Sequence, residues 1–220
     1  MKLEFKIGII DDSLEKIATI KPLLLAKPVS AKKQGKYSNR KFNVFELDPQ
    51  KSMNEVIGDI YYEKLDCMLI DYKLDSFSIS EYNGVDLATK IEETLYNFPM
   101  FILTSHEDEL FNKEVCNVYQ VLDFELYTNE EFERDEVHGK IIEQIQMFKK
   151  QKKEWEKELK DLMPQAGISE KIDSKIIELD SKIEKSIDGR SALSDELKRE
   201  LKSDKLMSLM EKIEQILNEE

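Results

Sequence analysis

The chain has 220 residues, of which 33 are basic and 46 acidic, for a net charge of −13; this excess of acid argues against nucleic acid as a general partner, because phosphate contacts need clustered Lys and Arg. Hydrophobic residues make up 40% of the chain, enough for a normal core in one domain with an appendage or in two small domains. No apolar run approaches membrane-spanning length and the start, MKLEFKIGII, lacks the layout of a signal peptide, so a cytoplasmic protein is expected.

Short apolar runs alternate with amphipathic stretches from Phe5 to about Phe148, the pattern of a doubly wound parallel sheet. The first strand, Phe5 to Ile10, runs into Asp11 and Asp12, and a helix follows from Ser13 to about Leu25 that Pro22 should end or kink. Residues 27–41 hold six basic and no acidic residues with one aromatic, Tyr37; a solvated loop is the plain reading, and a docking patch for an acidic partner or for nucleic acid the sharper one. Phe42 to Leu47 is the second strand. Ser52 with Glu55 then reads as a capping box that opens a helix to about Lys64.

The third strand, Cys67 to Ile70, is uniformly apolar, as suits a strand covered on both faces, and it stops at Asp71. A third helix spans Val85 to Leu95. The fourth strand, Met100 to Leu103, ends in Thr104 and Ser105 and leads to a helix over Glu107 to Tyr119. Val121 to Leu126 is the fifth strand, and a second capping box, Thr128 with Glu131, opens a long helix that no proline interrupts before Met163. Cys67 in a strand and Cys116 in a helix fit reduced structural thiols, and no Cys/His metal spacing exists.

The boundary falls near residue 148: an α/β domain over 1–148, then a helical extension over 149–220 that continues the fifth helix. Val137, Ile141, Ile145, Phe148, Trp155, Leu159 and Leu162 form one stripe, and two more striped helices follow, from Ile168 to Ile187 and from Leu193 to Ile216. None could bury its stripe alone, so a bundle or coiled coil is expected, within one chain or shared between chains. Self-association or capture of a partner protein through this tail follows as an expectation.

If the first, third and fourth strands lie side by side, Asp11, Asp12, Asp71, Thr104 and Ser105 converge beyond the carboxyl edge, where α/β sheets place their chemistry. Three carboxylates cannot share a pocket ionised without a cation, and an all-oxygen ligand set suits Mg2+. A haloacid-dehalogenase-type phosphatase would need a second acid two residues after Asp71, where Lys73 stands. His106 reads as a loop residue, and His138 lacks the sequence context of a phosphotransfer helix.

The acid pair Asp11 and Asp12, Asp71 ending the third strand and Thr104 ending the fourth resemble the receiver domain of two-component response regulators, over residues 5–148. The resemblance implies a five-stranded flavodoxin-like sheet, Mg2+ held by Asp11, Asp12, Asp71 and the backbone carbonyl of Lys73, and Asp71 as acceptor of a phosphoryl group from a histidine kinase or phosphotransfer protein. It also implies that Thr104 bonds the phosphoryl oxygens, that small Ser105 leaves them room, that Phe124 on the fifth strand rotates with the state, and that Gly84 opens the third helix. Such a chain is a switch in a phosphorelay and not an effector enzyme.

Two departures stand out. The loop between Asp71 and Gly84 carries about five extra residues, SFSIS or nearby, and Tyr127 occupies the place of the family's lysine, with no lysine between Lys113 and Lys140. Lys73 could substitute for that ammonium, and a lysine placed at 127 would be expected to restore the coupling. A pseudo-receiver, acting as an adaptor or oligomerisation scaffold without phosphorylation, is the alternative.

Overall fold

A computed structural model describes residues 3–29, 39–74, 80–105, 120–190 and 192–200. The expected helix over 107–119, His106, Cys116, Tyr37, most of the loop insertion after Asp71 and the last helix beyond residue 200 lie outside the described residues. Five parallel strands form one sheet: β1 (Leu3–Ile10), β2 (Arg40–Leu47), β3 (Cys67–Asp71), β4 (Met100–Thr104) and β5 (Gln120–Asp123), in the order β2-β1-β3-β4-β5. This is the flavodoxin-like order.

The helices are α1 (Leu14–Leu25), α2 (Met53–Tyr62), α3 (Gly84–Thr94), α4 (Phe124–Asn129), α5 (Glu131–Leu162), α6 (Glu170–Asp188) and α7 (Asp195–Glu200). Ser13 caps α1, which runs through Pro22 to Leu25 rather than ending there. The Ser52–Glu55 capping box is formed in both directions. The chain divides into two compact units, residues 1–93 with 97–148, and residues 94–96 with 149–220.

In the first unit, period-two alternation sends Phe5, Ile7 and Ile9 with Cys67, Leu69, Phe101, Leu103 and Leu122 to one face of the sheet, where they meet Ile17, Ile20 and Leu24 of α1 and Val137, Ile141, Ile142 and Ile145 of α5. Right-handed crossovers give the opposite face to α2 and α3, which bury Val56, Ile57 and Ile60, and Leu87, Ala88 and Ile91. Cys67 is completely buried and burial pushes its thiol pKa up, in keeping with an inert structural thiol.

The fifth strand is shorter than its apolar run. Asp123, in extended conformation, accepts a hydrogen bond from the Leu126 N–H and starts α4, so Phe124 and Tyr127 are helical residues and not strand residues. The cap wins because its carboxylate satisfies a helix N–H that a lone strand end would leave unpaired. The expected Thr128–Glu131 capping box is likewise absent. Thr128 lies inside α4 and its hydroxyl donates to the Phe124 carbonyl at 2.9 Å.

A buried polar knot ties α4 and α5 to β2. The Arg40 guanidinium donates to His138 Nδ1 at 2.7 Å, and Tyr127 Oη lies 3.1 Å from His138 Nε2. With Nδ1 accepting, the neutral ring carries its proton on Nε2 and donates it to the tyrosine oxygen. Burial, then the charges of Arg40 and Arg134, drives the His138 pKa down to about 3. The unfolded chain protonates near 6.5 while the folded one does not, so this stabilisation is present above pH 6.5 and is lost as pH falls towards 3. At about 1.4 kcal/mol per pKa unit, up to about 5 kcal/mol is at stake. Urea midpoints of the wild type should fall over this window, and those of His138→Gln should fall less.

The second unit closes on its own stripes. Trp155, Leu159, Ile176, Leu179 and Ile183 form its core, with Tyr96, Leu162 and Ile187 packed against them. Tyr96 and Trp155 stand 5.6 Å apart, and Lys182 lies 6.0 Å from both rings. The stripes of α5 beyond Phe148 and of α6 therefore cover each other within one chain. Lys198 of α7 is 2% exposed and bonds Asp180, Glu184 and Ser181. Removing one partner of such a buried set leaves an uncompensated charge and costs about 3–5 kcal/mol, so Lys198→Met should lower the urea midpoint of the full chain.

Candidate metal and phosphoryl site

The strand order changes direction between the parallel neighbours β1 and β3, since β1 leads out to β2 on one side and β3 leads out to β4 on the other. Ligands bind at such a switch point, beyond the carboxyl ends of the strands. Asp11 and Asp12 follow β1 there, beside Asp71 at the end of β3, where Ile10 pairs with Ile70. Thr104 ends β4, one residue beyond the Leu103 that pairs with Asp71.

Carboxylate oxygens of Asp11, Asp12 and Asp71 all lie within 4.8 Å of one another. Asp11 and Asp71 are buried, as is Thr104, whereas Ser105 is exposed. The Ser13 N–H donates to Asp11 Oδ1 at 2.8 Å, and the Lys73 N–H donates to Asp71 Oδ2 at 2.9 Å. Oδ2 of Asp12 is buried and receives no hydrogen bond from the described residues. Burial first, and then the charge of Asp71, raises the Asp11 pKa to about 7. A set of hard oxygen donors with more negative charge than its surroundings solvate is a fit for a small divalent cation.

One functional residue escaped the sequence reading. Lys16, on the first turn of α1, places Nζ 2.7 Å from Asp71 Oδ1, and the same ammonium lies 5.6 Å from the centre of the Phe124 ring. A cation in the first turn runs mildly against the helix macrodipole, but nothing in the spacing of the sequence ties Lys16 to Asp71. The charges of Asp71, Asp11 and Asp12 raise its pKa against the opposing pull of burial, which is the largest single influence.

The expected switch positions divide. Phe124 does stand next to the site, as the first residue of α4. Tyr127 does not occupy a place from which a lysine could reach Asp71: it is 1% exposed in the core shared by α1 and α5, with its hydroxyl on His138. The resemblance puts the family's lysine at position 127, with Lys73 as its expected substitute; among the described residues, the ammonium bonded to Asp71 is that of Lys16. Helical periodicity turns Tyr127 inward, away from where a strand would have put it.

Gly84 is fixed by close approach. A Cβ there would fall 2.0 Å from the Asp71 carbonyl oxygen and 2.9 Å from its carbon, both backbone atoms that cannot rotate aside, and the Gly84 N–H donates to the Tyr72 carbonyl at 2.9 Å. Gly84→Ala should push α3 off the end of β3 and cost about 3 kcal/mol, at the upper end of overpacking, read as a lower urea midpoint.

No family model matches the chain, and no curated protein matches it. Among solved structures, the chain is similar to a fusion that carries a trimeric coiled-coil segment of yeast Spc42, at 20% identity over 68% of this chain and 82% of that one, with a TM-score of 0.46. The fold assignment therefore stands on the strand order and register given above. No described helix is long and apolar enough to cross a membrane.

Proposed function

We propose that the chain is a phosphoacceptor switch of the two-component type, with Asp71 as acceptor, a histidine kinase or phosphotransfer protein as donor, and output through protein contacts of the C-terminal helices. The observation that carries this reading is the clustering of three carboxylates at the switch point of the sheet, with Thr104 at the end of the adjacent strand. An oxygen of Asp71 attacks the phosphorus of a phosphohistidine. The new O–P bond forms as the P–N bond breaks, and the electron pair leaves with the imidazole nitrogen, which takes up a proton. Thr104 donates to a phosphoryl oxygen, and Ser105, exposed beside it, leaves that oxygen room. Asp11, Asp12 and Asp71, joined by the Lys73 carbonyl, would hold Mg2+, which supplies charge neutralisation for the carboxylates and the incoming phosphoryl oxygens.

Incubation of the full chain with Mg2+ and a small phosphodonor, followed by intact mass, tests the proposal. Acquisition of one acid-labile phosphoryl group supports it, and an unchanged mass together with no response to beryllofluoride refutes it. A phosphorylation-independent pseudo-receiver is the second reading, and one observation favours it: Lys16 already neutralises Asp71 from within the chain.

Metal binding has its own readout. A ligand at a hundred times its Kd stabilises the folded state by about 2.7 kcal/mol, which for a chain of this size corresponds to roughly 5–10 °C in Tm. Saturating Mg2+ should raise Tm by that order, and Asp12→Ala should abolish the gain.

A further inference from the structure

We infer that Lys16 reads the charge state of Asp71 and relays it to α4 through Phe124; this rests on the phosphoacceptor reading above. Lys16 Nζ bonds Asp71 Oδ1 at 2.7 Å and lies over the Phe124 ring, 5.6 Å from its centre and within cation–π range. Asp71 is 4% exposed and Lys16 31%, so the acid is fixed while the lysine has room to move. Among the described residues, Lys16 is the side-chain cation bonded to the acceptor. Phe124 opens α4, is partly buried against the core, and lies one turn before Tyr127, whose hydroxyl meets His138 of α5. The charge on Asp71 is thus linked by contacts to the helix that leads out of the sheet domain.

The chemistry of the acceptor supplies the switch. As a carboxylate, Asp71 carries one negative charge shared between its oxygens, and Oδ1 presents its part of it to Lys16. When an oxygen of Asp71 forms the O–P bond of an acyl phosphate, the carboxyl group loses that charge, and the negative charge resides on the phosphoryl oxygens beyond it. An ammonium on a flexible stem follows the charge. Its displacement removes the cation–π attraction from the face of Phe124 and frees the start of α4, a helix of only six residues.

Hydrogen exchange on the full chain tests the relay, with peptides covering residues 120–135 in the wild type, Lys16→Met and Lys16→Arg, each with and without Mg2+ and beryllofluoride. Fluorine NMR reports beryllofluoride binding separately. In the wild type, beryllofluoride should speed exchange over residues 124–129 several-fold. Lys16→Met should exchange faster than the wild type before any ligand is added and should show no further change with it, while Lys16→Arg, which keeps charge and stacking, should respond as the wild type does. Lys16→Gln serves if the methionine variant does not fold. A wild type that binds no beryllofluoride overturns the phosphoacceptor reading, and the relay with it. A wild type that binds but does not respond, or a Lys16→Met protein that exchanges as the wild type does both without and with beryllofluoride, overturns the relay alone.

Discussion

Asp71→Asn should abolish acid-labile phosphate completely while leaving a folded chain. The substitution is nearly isosteric, and the side-chain oxygen of asparagine can still accept the Lys73 N–H that Oδ2 of Asp71 accepts at 2.9 Å. Loss of the charge removes the nucleophile, and it also removes the second-largest cause of the raised pKa of Asp11. The variant should therefore be close to the wild type in stability without metal, since relief of repulsion offsets the weakened Lys16 pair. Its Tm gain with Mg2+ should be smaller, because one of three carboxylate ligands is gone. Intact mass after exposure to a small phosphodonor, with and without acid treatment, gives the first result, and thermal melts give the second. Phosphate that persists in Asp71→Asn would move the chemistry to another residue.

Tyr127→Lys should unfold the sheet domain or bring it close to unfolding, the reverse of the restored coupling expected when position 127 is read as part of a strand. The Tyr127 side chain is 1% exposed, bonded to His138 and packed edge-on to its ring with centroids 5.8 Å apart. Arg134 donates to the Tyr127 and Thr128 carbonyls, and Arg40 lies on the far side of His138. An ammonium in that position would be a buried charge in the company of two guanidinium groups, Arg40 and Arg134, the charges that act on Tyr127 among the described residues. An uncompensated buried charge costs about 3–5 kcal/mol, a large share of the roughly 5–15 kcal/mol that holds a domain folded. Tyr127→Phe keeps the ring and gives up the hydroxyl, so it should cost only about 1–3 kcal/mol for the unpaired His138 N–H. Urea denaturation of both variants checks the contrast. A Tyr127→Lys chain as stable as the wild type would mean that the side chain reaches solvent.

How legible each residue was in the sequence depended on how local its determinant is. Asp71 could be placed because a uniformly apolar run of strand length ends on it, and Asp11 and Asp12 for the same reason. Strand ends in a parallel sheet share an edge, so three such runs place their terminal residues near one another. Gly84 could be located through resemblance alone, but its physical cause, a Cβ that would overlap the Asp71 carbonyl, is a contact between segments 13 residues apart in a chain of known topology. Phe124 and Tyr127 were misread. Val121 to Leu126 has the composition of a strand, and a single capping bond from Asp123 converts its second half into a helix, rotating every later side chain.

The sequence by itself determined the α/β class, the doubly wound parallel sheet, the capped start of α2 and the residues at the carboxyl edge, because periodicity, caps and strand ends are local properties of the chain. Tertiary structure alone decided which cation faces Asp71, since Lys16 and Asp71 are 55 positions apart and a lysine's long stem has no register that a pattern can reveal. It also decided what covers the helical stripes. A stripe states that a face must be buried and not by what, and here Trp155 and Leu159 of α5 meet Ile176, Leu179 and Ile183 of α6, a pairing fixed by the turn at Pro164 to Gly167 and by the volumes of the side chains that fill the space between.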